Sequence, residues 1–190
     1  ILIDDRVGSK ELYPLFPQGS ARLTHLEYGD MAFFGHGDGG PVMGGVERKR
    51  IGGFVNSMCS GRLSGEQLIG MTNAYHVLYL VIEGLFRAHP QTGVLETYRR
   101  GGWEEYTAGR RRFMARDVWA FMNTIEIKCG FHCYYCPRDT DTVHYVMALH
   151  HWWRKEYDRH RGHLQPHSGV EVSLVRQTLV RRVALQIEGV

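Results

Sequence analysis

YGDMAFFGHGDGGPVMGGVERK, residues 28–49, is the stretch that decides the fold. Two apolar runs flank a glycine-rich turn, Gly35-His36-Gly37-Asp38-Gly39-Gly40. Asp30 opens the first run, and Glu47 and Lys49 close the second. Paired as an antiparallel hairpin, the runs would bring Asp30 close to Glu47. Lys49 would share the face of Glu47, because strand side chains two apart point the same way. Two carboxylates and a lysine on adjacent strands can hold a hard divalent cation and steer a water.

Working outward, Ile1-Leu2-Ile3 reads as a buried strand ending in Asp4-Asp5-Arg6. Ligand sites in α/β sheets prefer that end of a strand. Residues 9–15 suit one or two helical turns, stopped by Pro14 and Pro17. Residues 21–27 lead into the hairpin. Pro41 belongs in the loop or at a strand edge. Gly44-Gly45 marks a bulge or a close backbone approach. Phe54, Val55, Met58 and Leu63 have helical spacing, although Gly52-Gly53 is a poor helix start. Ser64 reads as the N-cap of a helix running to about residue 74. Residues 75–83, YHVLYLVIE, form the strongest strand and suit a central position covered on both faces.

Residues 94–112 are basic and glycine-containing, and read as a mobile loop or a partly helical insertion. One reading is a solvated surface loop. The other is a DNA-contacting loop, with Arg110, Arg111 and Arg112 on phosphates and Trp103, Tyr106 and Phe113 stacked on unpaired bases. A helix is expected over 115–123, a strand over 124–128, and a helix from Asp139 or Asp141 to about residue 157. Arg154 and Lys155, near the end of that helix, could contact DNA. A histidine-rich linker over 159–171 and a final amphipathic helix from 172 complete the chain. Strands alternating with helices predict an α/β domain, expected over 1–158.

The chain has 190 residues, 43% hydrophobic and 12% aromatic, enough to bury a real core. No apolar run is long enough to span a bilayer, and no secretory signal is visible. A formal charge of +3 is compatible with a phosphate-binding face without requiring one. Four cysteines make neither a disulfide framework nor a paired zinc pattern. An intracellular protein is expected, nuclear if the cell is eukaryotic. Cys129-x3-Cys133-x2-Cys136 resembles the cluster-binding motif of radical SAM enzymes. The alternatives are buried structural thiols, or zinc held with His132 or His144. The chain begins inside an apolar run, so a fragment or lost disordered ends are expected.

The ordered signature residues carry a more specific resemblance. Gly29-Asp30 and Glu47-Arg48-Lys49 match GD, a spacer, then ERKxxxD. Asp4-Asp5-Arg6 matches an opening acid-x-Arg, and Ser57, Gly61-Arg62-Leu63, Gln67 and Ile82-Glu83-Gly84 follow in order. From Asp4 to Trp153 the chain resembles the nuclease domain of the XPF-like family of structure-specific endonucleases. That resemblance implies a restriction-endonuclease-like α/β fold, a central mixed sheet with helices on both faces. It implies that Asp30 and Glu47 ligate Mg2+ or Mn2+, with Asp4 beside or in the shell, and that Lys49 positions water. Arg6 and Arg48 would support the site or contact phosphate, as would Arg62, Gln67 and Glu83. It also implies branched DNA substrates (flaps, forks, junctions) and a homodimer or a heterodimer with a related nuclease-like subunit.

Two positions depart from the pattern. The last acid of the motif falls at 53, where this chain has Gly53, and Val7 stands where the family often has Glu. Gly53 is expected to remove a carboxylate that helps arrange the metal site. The alternative function is therefore a non-catalytic DNA-binding and dimerisation subunit. The C-terminal residues, Arg181 to Val190, resemble the approach to a helix-hairpin-helix module, so residues 172–190 are expected to be the start of one.

Overall fold

The computed structural model describes residues 1–61 and 63–160. The chain divides into two compact units, Ile1–Tyr157 and Asp158–Val190. The expected helix over 172–190, most of the linker, and Arg62 lie outside the described residues.

The first unit is built on a six-stranded mixed sheet. Its strands are β1 (Leu2–Asp4), β2 (Arg22–Thr24), β3 (Met31–Gly37), β4 (Gly40–Arg50), β5 (Val77–Glu83) and, after a smaller sheet, β11 (Phe131–Cys136), in the order β11-β5-β4-β3-β1-β2. β3 and β4 form the expected antiparallel hairpin, with Met31 opposite Val46 and Gly37 opposite Gly40. β4, β5 and β11 run parallel, so helices must cross over between them. Helices α1 (Ile51–Ser60) and α2 (Leu68–Ala74), joined through a wide turn at Leu63–Gln67, link β4 to β5. Helix α3 (Ala115–Cys129) precedes β11, and α4 (Asp139–Trp153) follows it.

The near-continuous apolar character of β5 reflects burial on both faces. Leu78, Leu80 and Ile82 join one core with Phe54, Met71 and Val118 from α1, α2 and α3. Tyr79 and Val81 join another with Leu12, Val143 and Val146. Leu12 belongs to a 3-10 turn at Lys10–Leu15, and the two valines to α4. Helices thus cover both faces, and among the described residues none is long and apolar enough to cross a membrane.

Several local expectations need correction. The glycine-rich turn is shorter than expected. Only Asp38 and Gly39 lie between the strands, and Gly35 to Gly37 belong to β3. Glycine at 35 serves packing, since a Cβ there would come within 2.6 Å of Trp153 on α4. Gly44 and Gly45 form no bulge, because the register with Phe33 and Ala32 is unbroken. They are the close-approach case, lying under the rings of Phe33 and Tyr75.

The expected strand over 124–128 is the second half of α3. Ile125 is buried and Ile127 is 79% exposed, so the β-branched run lies across a helix rather than along a strand face. Gly130, at φ 74°, ends that helix, and the strand follows it. Helix α4 stops at Trp153 and is preceded by Arg138 rather than capped by an aspartate.

The stretch 94–112 is neither a loop nor partly helical. β6 (Phe86–Ala88), β7 (Leu95–Arg99) and β8 (Gly102–Glu105) make a small antiparallel sheet, and β9 (Thr107–Ala108) pairs with β10 (Arg111–Arg112). Its aromatics are spent on folding. Tyr106 and Phe113 are buried in the core with α1 and α3, and Arg87 stacks on Trp103 at 4.3 Å. They are not free platforms for bases.

Candidate active site

The hairpin and β1 bring the expected acids together through backbone bonds. The Asp4 N–H donates to the Asp30 carbonyl at 2.9 Å, and the Asp30 N–H donates to the Val46 carbonyl at 2.8 Å. Alternation along β4 then sends Glu47 and Lys49 to one face and Arg48 to the other. The outcome is a cleft of about 410 Å³ whose lining includes Asp4, Arg6, Asp30, Glu47, Lys49 and Gln67. Of the proposed catalytic and metal residues, all four stand in it.

Each carboxylate is held by different means. Asp4 is 2% exposed. One of its oxygens accepts from Arg6 Nε at 2.5 Å and the other from the Leu26 N–H at 3.1 Å. Asp30 accepts from Ser9 Oγ at 2.5 Å and from the Arg48 N–H at 2.6 Å. Glu47 is 3% exposed, and its Oε1 lies 2.7 Å from Lys49 Nζ. Burial, reinforced by the negative charge of Asp30, pushes the Glu47 carboxyl up to about 7 despite that lysine. Counting Glu27 at the wall, four carboxylates (Asp4, Glu27, Asp30, Glu47) face two cations (Arg6, Lys49). The cleft is short of positive charge, and its oxygen-rich donor set suits a hard divalent cation.

Within that set the residues are not equivalent. Asp4 has both oxygens engaged, and its ligand atoms group within 4.8 Å with those of Asp5 and His25. Asp30 also has both oxygens engaged, by Ser9 and the Arg48 N–H, so Glu47, bonded at one oxygen, is the least committed of the three. Sequence reasoning missed Ser9. It is 2% exposed and reaches Asp30 across 21 positions, and no local pattern points to it. Glu27 and Tyr28 adjoin the Gly29-Asp30 motif and could have been added on that ground.

Of the two roles expected for Arg48, supporting the site or contacting phosphate, its placement matches the first. Its side chain is only 9% exposed and leaves β4 on the face away from the cleft. There Nε and Nη2 clamp Glu83 at 2.7 and 2.6 Å, Nη1 donates to the Gly8 carbonyl, and Thr142 adds a bond to Glu83. Arg48 and Glu83 brace the site from behind. Gly53 also lies elsewhere. It borders a different cleft, with Arg50, Arg99 and Arg138, and is not among the residues lining the carboxylate cleft.

The basic residues expected to touch DNA do not line the carboxylate cleft. Arg110 is exposed, Arg111 lies over Phe113, and Arg112 pairs with Glu105. Arg154 is exposed at the end of α4, and Lys155 is half-buried. The cysteine motif does not converge. Cys133 and Cys136 leave β11 on opposite faces, into different cores. Burial, with Glu126 adding, pushes the Cys133 thiol up to about 12, far from the thiolate a metal needs. Among the described residues no cysteine belongs to a cluster of three metal-ligating groups.

A mixed sheet covered on both faces, with acids at the ends of its central strands, is the restriction-endonuclease-like fold. No protein-family model and no curated protein matches the sequence. Among solved structures, XPF from Aeropyrum pernix superposes at a TM-score of 0.53 with 18% identity, covering 87% of this chain and 68% of that one. The same archaeal XPF in complex with DNA gives 0.48 and 19%, over 96% and 71%. At such identities the likeness is one of fold, and this chain has the fold of XPF.

Proposed function

We propose that the chain is a metal-dependent endonuclease that hydrolyses DNA phosphodiesters near branch points. The observation that carries this reading is the carboxylate cleft, where Asp30, just before β3, adjoins Glu47 on the antiparallel strand β4, with Lys49 bonded to Glu47. Asp30 and Glu47 would hold a Mg2+ or Mn2+ ion, with Asp4 beside them. Such an ion, when bound, supplies polarisation of the phosphoryl oxygen and an acidified water. Ser9 and the Arg48 N–H aim the Asp30 carboxylate. Arg6 fixes Asp4. Lys49 offers a cationic donor to the attacking water or to charge developing on the phosphate. Gln67 adds a neutral donor at the wall.

Cleavage of flap, fork and bubble DNA with Mg2+ tests the reading, with Asp30→Asn as control. The variant should lose about 100-fold or more, the upper range for losing a supported metal site. Equal cutting by the variant would reject the assignment. A dimer, homomeric or with a related subunit, goes with this reading and is tested by sedimentation.

Val7 favours a second reading. It is 82% exposed on the cleft lining where the resemblance expects a glutamate. A non-catalytic DNA-binding subunit would bind branched DNA, cut none of it, and gain nothing from Val7→Glu.

A further inference from the structure

The end of β4 borders a second cleft of about 520 Å³, whose lining holds three arginines and two acids. Arg50 comes from β4, Arg99 from the end of β7, and Arg138 from the link between β11 and α4. Three arginines from three distant parts of the chain border this cleft. Their planar forks match the oxygens of a phosphate better than any other surface cation does.

Two acids, Glu83 and Asp139, also border the cleft. Glu83 is already clamped by Arg48 through two bonds of 2.6 and 2.7 Å. Arg50, 3.5 Å from the same carboxylate and 76% exposed, is thus in surplus. Arg138 is 75% exposed and its contact with Asp141 at 3.2 Å is a solvated one, of small worth.

The placement of Arg99 is built. The Tyr106 hydroxyl donates to the Gly52 carbonyl at 3.0 Å, tying the small sheet to the first turn of α1. Arg99 then lies over the Tyr106 ring at 5.7 Å. The floor beside it is Gly53, where a Cβ would meet nothing within 4 Å. An aspartate at 53 would add a third carboxylate to the border of the cleft, beside Glu83 and Asp139, whereas glycine adds neither bulk nor negative charge.

We propose that the arginine cleft is a phosphate-binding site that seats a backbone phosphate of a nucleic-acid strand. The source of that phosphate rests on the nuclease reading, while the phosphate chemistry rests on the cleft alone. Lys49 and Arg50 are neighbours on β4 with side chains on opposite faces, so one strand end serves both clefts.

The test uses the full chain and a labelled forked duplex in EDTA, with affinity measured by anisotropy over a range of KCl. Arg99→Ala/Arg138→Ala should weaken binding roughly tenfold at low salt and lower the salt slope by about 2, near one per lost phosphate contact. Gly53→Asp, which removes no arginine and meets no steric obstacle, should weaken binding in the same direction. Unchanged affinity and slope in both cleft variants would overturn the proposal.

If the wild type binds no DNA, the nuclease reading falls and inorganic phosphate becomes the probe. A saturable shift of the Gly53 amide resonance that the double arginine variant lacks would then support a free phosphate ligand. No shift in the wild type would overturn the proposal in that case as well.

Discussion

The two clefts beside the end of β4 hold their charge in opposite ways. In the carboxylate cleft, Asp4 and Glu47 are almost fully buried, and Asp4, Asp30 and Glu47 each have a named partner. In the arginine cleft, Arg50 and Arg138 are about three-quarters exposed and their partners are distant or solvated. Buried charge must be fixed in place, because an unpaired buried ion is costly. Exposed charge is cheap and can be left over for a ligand. The first cleft is therefore built into the fold, and the second is displayed on it.

Arg48 and Glu83 mark the boundary between the two, since the Arg48 N–H holds Asp30 while Glu83 borders the arginines. Arg48→Ala should be the largest break, costing about 3–5 kcal/mol by stranding buried Glu83, read as a lower urea midpoint. Should the loss stay under about 1 kcal/mol, the brace would be solvated and the contrast wrong.

Glu47→Gln follows. It should cut cleavage about 100-fold while raising the melting temperature of the metal-free protein near neutral pH. The sign comes from the folded pKa of about 7 against an ordinary value of 4.5. Between those values the folded chain binds the proton more tightly than the unfolded chain, so this group's contribution to stability falls as pH rises from about 4.5 to 7. The wild type should therefore lose stability relative to Glu47→Gln across that window, and a constant difference would refute the assignment.

Smaller effects sharpen the same contrast. Ser9→Ala removes a buried donor to Asp30 and should cost about 1–3 kcal/mol, measured by the same urea titration. Arg138→Ala should change stability by less than about 0.5 kcal/mol, while the proposed phosphate site predicts that it weakens DNA binding.

Much of this was legible along the chain. The hairpin, the strong β5 strand and the grouping of Asp30, Glu47 and Lys49 follow from alternation and short spacings, while the place of Asp4 beside them came from the family resemblance. Other features were not. Ile125 and Ile127 look like a strand, yet the placement of the stop at Gly130 and the core beneath α3 make them helical. Tyr106 and Trp103 look like stacking residues, yet one is consumed by the core and the other by Arg87. Gly53 reads in the sequence as a departure within the metal motif, and only the fold sets it at the border of the arginine cleft.

By itself the sequence determined which residues alternate, where acids meet apolar runs, and hence the strand pair that presents Glu47 and Lys49. Those are local properties, set by the two-residue repeat of a strand and by side-chain chemistry. Only the tertiary structure decided which charges are buried, which are already matched, and which face water. Arg48 and Glu83 lie 35 positions apart, and Ser9 and Asp30 lie 21 apart. Charge and burial depend on neighbours brought in from such distances, so the same arginine-rich, acid-rich sequence could have been sorted into two opposed clefts only by folding.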